Sequence, residues 1–265
     1  MEESEKLCTI KIDGKPVSVR EGTTILEAGR KLGIEIPNLC FHPALEPYGV
    51  CRVCIVELRR GKRVRVVTAC NFPVQGDDLE VFTNSEMIAR DRRTVIELLL
   101  ARCWSSQVVR EFAARFGIFD TDLEKTVGEE CTLCGRCVNV CRDLIGQAAI
   151  GFEGRGSDRK TAAPFRKPTE ECIGCGACVY VCPTGCITME DMPTERMIDR
   201  WMVDLPILKC RECGRGFGTV RQLEILKSRH PSIRLYLEKC PECRSEELGQ
   251  ALFVKAPVKE AAGAR

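Results

Sequence analysis

The chain has 265 residues, a formal net charge of +2 and the apolar share of a folded protein, with only two Trp and three Tyr. Its length suits two or more small domains. Met1 to Lys6 is acidic with no apolar core behind it, so no secretory leader is expected, and the longest apolar run, 95–101, is broken by Glu97 and too short to span a bilayer. A cytoplasmic protein without a membrane span is therefore expected. The outstanding feature is nineteen cysteines, sixteen of them in four spaced groups. The odd total, the missing leader and the regular C-x2-C pairs oppose a disulfide scaffold. They fit thiolates that hold iron–sulfur clusters or zinc.

Residues 7–20 alternate in the strand period, with Cys8, Ile10 and Ile12, then Val17 and Val19, around Asp13-Gly14-Lys15. Asp-Gly between alternating runs is a hairpin signal. Thr23 or Thr24 then caps a helix to about Leu32 with Ile25, Leu26, Ala28 and Leu32 buried, and Gly33 ends it. A second hairpin is predicted from 53–58 and 64–68, turning through Arg59-Arg60-Gly61-Lys62, and an edge strand near 79–82 completes a small β-grasp arrangement. The first cysteine group, Cys40-x10-Cys51-x2-Cys54-x15-Cys70, lies on this frame. Plant-type 2Fe–2S ferredoxins share the C-x2-C pair and the distant fourth Cys but have a shorter first gap. These four are the expected ligands of one 2Fe–2S cluster.

From 85 to 117 two amphipathic helices are predicted. One is capped by Asn84 or Ser85 and carries Met87, Ile88, Val95, Leu98, Leu99 and Leu100. The other starts near Ser105 or Ser106, carries Val108, Val109, Phe112 and Phe116, and stops at Gly117. They read as packing helices without chemistry. Cys131-x2-Cys134-x2-Cys137-x3-Cys141 follows, and Cys172, Cys175, Cys178 and Cys182 repeat its spacing. In two-cluster ferredoxins the fourth Cys of each run serves the other cubane. Cys131, Cys134, Cys137 and Cys182 are thus assigned to one 4Fe–4S cluster, and Cys172, Cys175, Cys178 and Cys141 to the other. Pro183 follows the second run as expected, whereas Arg142 stands where the first would carry Pro. Gly154-Arg155-Gly156 lacks the setting of a phosphate loop and reads as a connector.

Residues 191–206 read as a link to the last group. Cys210-x2-Cys213 and Cys240-x2-Cys243 are two knuckles of a zinc ribbon, with a helix over 219–228 between them. Zinc is the expected metal, with iron or a further cluster as the alternative. Residues 257–265 are an expected disordered tail. Cys8, Cys103 and Cys186 remain as spare thiols, with Cys186 expected to be buried, and His42 reads as a loop histidine near Cys40. The predicted fold is thus α+β and multi-domain: a 2Fe–2S β-grasp domain (1–84), a helical linker (85–127), a two-cluster 4Fe–4S domain (128–190), a zinc-ribbon module (191–256) and the tail.

Each loaded site would carry about −2, taking the formal charge from +2 to about −6. That opposes nucleic-acid binding, despite the basic residues of the ribbon. It also gives Arg52, Arg136, Arg142, Lys209, Arg211, Lys239 and Arg244, all beside ligands, a candidate role in stabilising thiolates. No nucleophile–base set or dinucleotide fingerprint is present, so no substrate site is evident.

Three stretches resemble the N-terminal module of the complex I 75-kDa-type subunit. They are Ile12-Asp-Gly-Lys-Pro-Val-Ser-Val-Arg20 with the helix start that follows, Ile36-Pro-Asn-Leu-Cys40, and Gly49-Val-Cys-Arg-Val-Cys54. The two cubane runs, with Pro164-Phe165 between them, extend the resemblance to about residue 190, while the ribbon is outside it. The same module occurs in diaphorase small subunits of NAD-reducing hydrogenases and in NAD-dependent formate dehydrogenases. Many members carry a cluster with one His and three Cys ligands after the helix equivalent to 97–100. Here Ala101-Arg-Cys-Trp-Ser-Ser-Gln107 has one Cys and no His, so that cluster is expected to be absent. The resemblance implies an electron-transfer subunit of a hetero-oligomeric, NAD(P)-linked oxidoreductase. It would sit between a flavin NAD(P)H-binding subunit and a hydrogenase or formate dehydrogenase, in an assembly that could be electron-bifurcating. A free multi-cluster ferredoxin is the alternative, and a zinc-ribbon nucleic-acid-binding protein a more distant one.

Overall fold

The structure is a computed structural model that describes residues 6–254. The chain forms two compact units, Met1–Ala162 with Ala177–Cys186, and Ala163–Gly176 with Ile187–Arg265. The expected tail at 257–265 lies outside the described residues.

In the first unit, β1 (Leu7–Ile12) buries every second residue, Cys8, Ile10 and Ile12. It pairs antiparallel with β2 (Lys15–Arg20), from Leu7 opposite Arg20 to Ile12 opposite Lys15. Asp13 and Gly14 both adopt positive φ, 49° and 79°, as a type I′ turn requires. Thr24 starts α1 (Ile25–Lys31) with a capping box: its side chain accepts from Glu27 N, and its own N–H donates to Glu27 Oε2 at 3.0 Å.

The second hairpin, β3 (Ile55–Arg60) and β4 (Arg63–Thr68), is longer than predicted. Gly61 at φ 58° makes a two-residue turn, so Arg59 and Arg60 are paired strand residues rather than its tip. β5 (Glu80–Phe82) departs further from expectation. It is not an edge strand but the centre of the sheet, whose order is β2-β1-β5-β3-β4. It runs parallel to β1 and antiparallel to β3. Alternation says which face a residue takes, not which strand lies beside it. The placement is held by backbone bonds from Lys11 N to Leu79 O and Asp13 N to Val81 O, and by the Asp13 carboxylate, which accepts from Thr83 N and Oγ1.

Ser85 caps α2 (Glu86–Arg102) and Ser106 caps α3 (Gln107–Ala114). Ile96 and Leu100 meet Ala113 and Ile118 in a small core between them. α4 (Arg136–Asn139) widens into a π-helical turn over Val140–Leu144 that carries Cys141. β6 (Gly151–Glu153) and β7 (Lys160–Ala162) form a hairpin around the predicted connector, and α5 (Ala177–Tyr180) packs on α4.

The second unit holds an antiparallel sheet of order β11-β10-β9-β8. Its strands are β8 (Glu190–Asp191), β9 (Glu195–Ile198), β10 (Val203–Lys209) and β11 (Gly216–Thr219). Most of the stretch predicted as a link is therefore sheet. Ile198, Trp201, Val203 and Leu205 are its buried residues, a pattern too short and too interrupted by turns to show as strand period. Thr219 caps α6 (Val220–Arg229), one residue from the predicted start, and α7 (Pro241–Val254) follows the second knuckle.

Candidate iron–sulfur and metal centres

Cys40, Cys51, Cys54 and Cys70 are all buried, and their thiols converge from the 40–54 loop and the end of β4. Cys51 and Cys70 donate S–H bonds within the group, so Cys40 and Cys54 sit below the usual thiol range, Cys54 at about 7, and Cys51 and Cys70 sit above it. Arg52, between the C-x2-C pair, takes φ 58° and turns the loop around the sulfurs. Gly49 is required where the two arms meet: its φ is +65°, and a Cβ there would lie 2.7 Å from Asn71 Nδ2. His42 accepts from Ala44 N through Nδ1 at 3.3 Å, the bond of a loop histidine.

Sequence reasoning missed Arg92. This guanidinium is buried on α2 and donates to Val53 O at 3.0 Å, Ile55 O at 2.7 Å and Thr83 O at 2.9 Å. It fastens both sides of Cys54, and among the described residues no carboxylate pairs with it. Its place four residues from both Ile88 and Ile96, on the apolar stripe of the helix, was the available signal.

Cys131, Cys134 and Cys137 are buried, and Cys182 joins them from beyond α5. Burial raises the Cys137 thiol, and the surrounding thiols of Cys134, Cys131, Cys178 and Cys182 raise it further. Leu133 at φ 55° and Gly135 at φ 77° coil the loop, and Leu133 N donates to Cys131 Sγ at 3.4 Å. Ala149 N donates to Cys141 Sγ at 3.3 Å. Such N–H···S bonds are the usual setting of a cluster thiolate. Arg102, in the last turn of α2, holds Cys131 O at 3.2 Å. Cys186 is half-buried rather than buried as expected, and its sulfur is 3.7 Å from Cys182 Sγ, a fifth thiol beside this group. The Pro-Thr-Gly turn that follows Cys182 brings it back.

This group lies against the first. Cys134 shares one apolar cluster with Leu39, Cys40, Cys51 and Val53, flanked by Val95, Leu99 and Phe112. Tyr48 of the 40–54 loop stacks on Phe152 with ring centroids 6.5 Å apart, and a Cβ on Gly135 would meet both rings.

The ligand set expected for the other cubane divides between the units, Cys141 and Cys178 in the first, Cys172 and Cys175 in the second. Within the second unit, Gly174 and Gly176 take φ 65° and 75°, repeating the turns at Leu133 and Gly135. The loop is held by residues near the four-cysteine group. Thr219 Oγ1 donates to Ile173 O at 2.5 Å, Arg196 to Gly174 O at 2.7 Å, and Arg221 to Glu170 O at 2.5 Å and Cys172 O at 3.3 Å.

The sulfurs of Cys210, Cys213, Cys240 and Cys243 all lie within 4.8 Å of one another, with Cys213 exposed. Cys213 Sγ and Cys240 Sγ are 3.8 Å apart, close to the edge of about 3.8 Å that follows from tetrahedral M–S bonds of about 2.3 Å. Backbone N–H groups of Cys213 and Cys240 hold the Cys210 thiol down at about 6. Arg211 is paired with Glu238, and Lys239 with Glu212 and Glu247. These cations, like Arg142 on Asp143, are committed to carboxylates.

The donor sets at 40–70, at Cys131, Cys134, Cys137 and Cys182, and at 210–243 fit the groups inferred from spacing, with N–H groups aimed at sulfur and two buried donors, Arg136 Nε and Arg244 Nε, without an acceptor in the protein. Among the described residues no helix is long and apolar enough to cross a membrane.

Comparisons with known proteins agree. Residues 5–86 match a 2Fe-2S iron-sulfur cluster binding domain, residues 124–189 a 4Fe-4S dicluster domain, and residues 171–217 a further 4Fe-4S dicluster family. The chain is 32% identical over 180 residues to the NADH-ubiquinone oxidoreductase 75 kDa subunit of Reclinomonas americana, covering 59% of this chain and 26% of that protein. It is 34% identical over 174 residues to the NADPH-Fe(3+) oxidoreductase subunit alpha of Geobacter sulfurreducens, covering 57% of this chain and 20% of that one. The chain therefore spans about a quarter or less of these relatives. A crystal structure of an NAD+-reducing NiFe hydrogenase in the H2-reduced state matches with a TM-score of 0.51 and 28% identity, over 61% of this chain and 76% of that chain. These matches, together with the gathered thiols, identify the chain as an iron–sulfur electron-transfer protein that carries the N-terminal module of the complex I 75-kDa type, related to subunits of NADH oxidoreductases and NAD-linked hydrogenases.

Proposed function

We propose that this protein is the wiring subunit of an NAD(P)-linked oxidoreductase complex, placed between a flavin subunit that oxidises NAD(P)H and a separate catalytic subunit, a hydrogenase or a formate dehydrogenase. The observation that carries this reading is the shared apolar cluster of Cys40, Cys51 and Cys134. A thiol of the first cubane run shares one apolar cluster with two of the 2Fe–2S group, which is how a relay is built and not how independent structural sites are. When bound, such clusters take up and release single electrons without making or breaking substrate bonds. The chain supplies the rest. Cys40, Cys51, Cys54 and Cys70 would hold the 2Fe–2S centre. Cys131, Cys134, Cys137 and Cys182 would hold one cubane, and Cys172, Cys175, Cys178 and Cys141 the other. Arg92 and Arg102 fix the loops, and Leu39, Val53, Val95 and Leu99 exclude water.

The sulfur spacing of Cys210, Cys213, Cys240 and Cys243 supports a single tetrahedral ion, zinc before iron, because a cubane spreads its four thiolates further apart than one ion does. Through Thr219, Arg196 and Arg221 this module braces the Cys172 loop, and its exposed side would dock a partner. Anaerobic purification from the native source tests the assignment. A flavin NAD(P)H-binding subunit and a hydrogenase or formate dehydrogenase are expected to co-purify in stoichiometric amounts. Recovery of the loaded chain alone would replace the subunit reading with a free multi-cluster ferredoxin.

A further inference from the structure

Arg136 lies between Cys134 and Cys137, yet its side chain leaves that loop. Nη2 donates to Leu39 O at 2.5 Å and to Phe41 O, the carbonyls on either side of Cys40. Nη1 reaches Val181 O at 3.4 Å, the carbonyl before Cys182. One guanidinium thus grips the backbone beside a thiol of each of two centres, from a loop whose own Cys134 shares an apolar cluster with Cys40 and Cys51.

Two further facts give that grip an electrostatic meaning. Nε is buried without an acceptor, and among the described residues no carboxylate pairs with this cation. Its countercharge must come from the thiolates and the groups they hold. The second run supplies a control. Cys175-Gly176-Ala177-Cys178 has the same spacing and the same positive-φ glycine, with Ala177 at the position of Arg136. The coil of a cubane loop therefore does not need the arginine. It occurs in the run that lies against the 2Fe–2S group.

The geometry points to Arg136 as a positioning residue shared by two redox centres, which fixes the Cys40 loop against the Cys182 turn and raises the reduction potentials of the 2Fe–2S centre and the first cubane together. The inference rests on the reading of these thiols as cluster ligands. Reduction adds negative charge, and a nearby fixed cation favours the more negative state.

The test is an anaerobic redox titration of the full loaded chain, followed by electron paramagnetic resonance, on wild type, Arg136→Gln and Arg136→Lys. With wild-type iron and sulfide content, Arg136→Gln is expected to move the 2Fe–2S midpoint and one cubane midpoint negative and leave the other cubane in place. The expected size is a fall of about tenfold in the reduced-to-oxidised ratio at fixed potential, about 59 mV for one electron. Arg136→Lys keeps the charge but cannot hold three carbonyls at once. It should leave the midpoints near wild type and alter the magnetic interaction between the two centres. Unmoved midpoints in a fully loaded Arg136→Gln chain, or a shift confined to one centre, would overturn the inference. If the glutamine variant does not load, an unchanged magnetic interaction in Arg136→Lys does so. A wild-type chain without a 2Fe–2S signal would instead overturn the cluster reading beneath it.

Discussion

The thiols at the 2Fe–2S group and the four thiols at 210–243 use the same C-x2-C device in opposite surroundings. The first group is wholly buried, is assembled from a long loop and a returning strand, and is backed by Arg92 and Arg136, which have no carboxylate partner among the described residues. The second draws its sulfurs within 4.8 Å at the end of β10 and the start of α7, leaves Cys213 exposed, and has Arg211 and Lys239 paired with Glu238, Glu212 and Glu247, while Arg244 beside Cys243 keeps a buried Nε without an acceptor. Unpaired positive charge in a dry site stabilises the more negative state of a centre whose charge changes. A centre of constant charge can leave its cations to surface pairs. What distinguishes the first group is full burial and the grip of Arg92 and Arg136 on the backbone beside its thiols.

The largest expected effect is a split in metal content. Cys54→Ala should remove about two iron and two sulfide per chain and leave the ion at 210–243 in place, while Cys240→Ala should do the reverse. Elemental analysis decides this, and loss of both kinds of metal from either variant would erase the distinction. Next in size is Arg92→Leu, which leaves three buried carbonyls without a donor. A loss of about 3 kcal/mol is expected, read as a thermal transition lower by roughly 6–12 °C. An unshifted transition would mean that the guanidinium is dispensable.

Two glycines sharpen the contrast at smaller cost. Gly49 and Gly214 both hold positive φ, but a Cβ on Gly49 meets Asn71 at 2.7 Å and one on Gly214 meets nothing within 4 Å. Gly214→Ala should cost about 1 kcal/mol of backbone strain and keep its metal, whereas Gly49→Ala should also lower 2Fe–2S occupancy, seen in visible absorbance. Equal behaviour would contradict the packing described for the 40–54 loop. The smallest effect concerns spare thiols. Burial pushes Cys103 up to about 12, so at pH 8 it stays a neutral thiol, and thiolate-dependent alkylation should appear only as pH rises toward that value. Chelation of the metal should instead open exposed Cys213 to alkylation at pH 8, and peptide mass mapping distinguishes the two sites.

Much of this was legible in the sequence because the signals are local. Asp13-Gly14 marked the hairpin, and of the paired cap candidates Thr23 or Thr24, Asn84 or Ser85, and Ser105 or Ser106, the structure uses Thr24, Ser85 and Ser106. The cysteine spacing marked the thiols gathered at 40–70 and at 210–243, but not Cys186. What escaped depends on long-range pairing. Nothing within 79–82 says that β5 enters between β1 and β3; β8 and β9 are too short to show a period, and the alternation of β10 stops at Pro206. Arg92 and Arg136 looked like any helix or loop cation, because their acceptors are backbone carbonyls, which every residue carries. Cys186 read as an isolated buried thiol, since its 3.7 Å approach to Cys182 depends on how the turn between them closes.

The most direct measurement is a count of iron, acid-labile sulfide and zinc per chain in protein purified under strict anaerobiosis. Three clusters and one tetrahedral ion predict about ten iron, about ten sulfide and about one zinc. About fourteen iron with no zinc would mean that Cys210, Cys213, Cys240 and Cys243 hold a further cluster, and the separation of redox from structural thiols would fail.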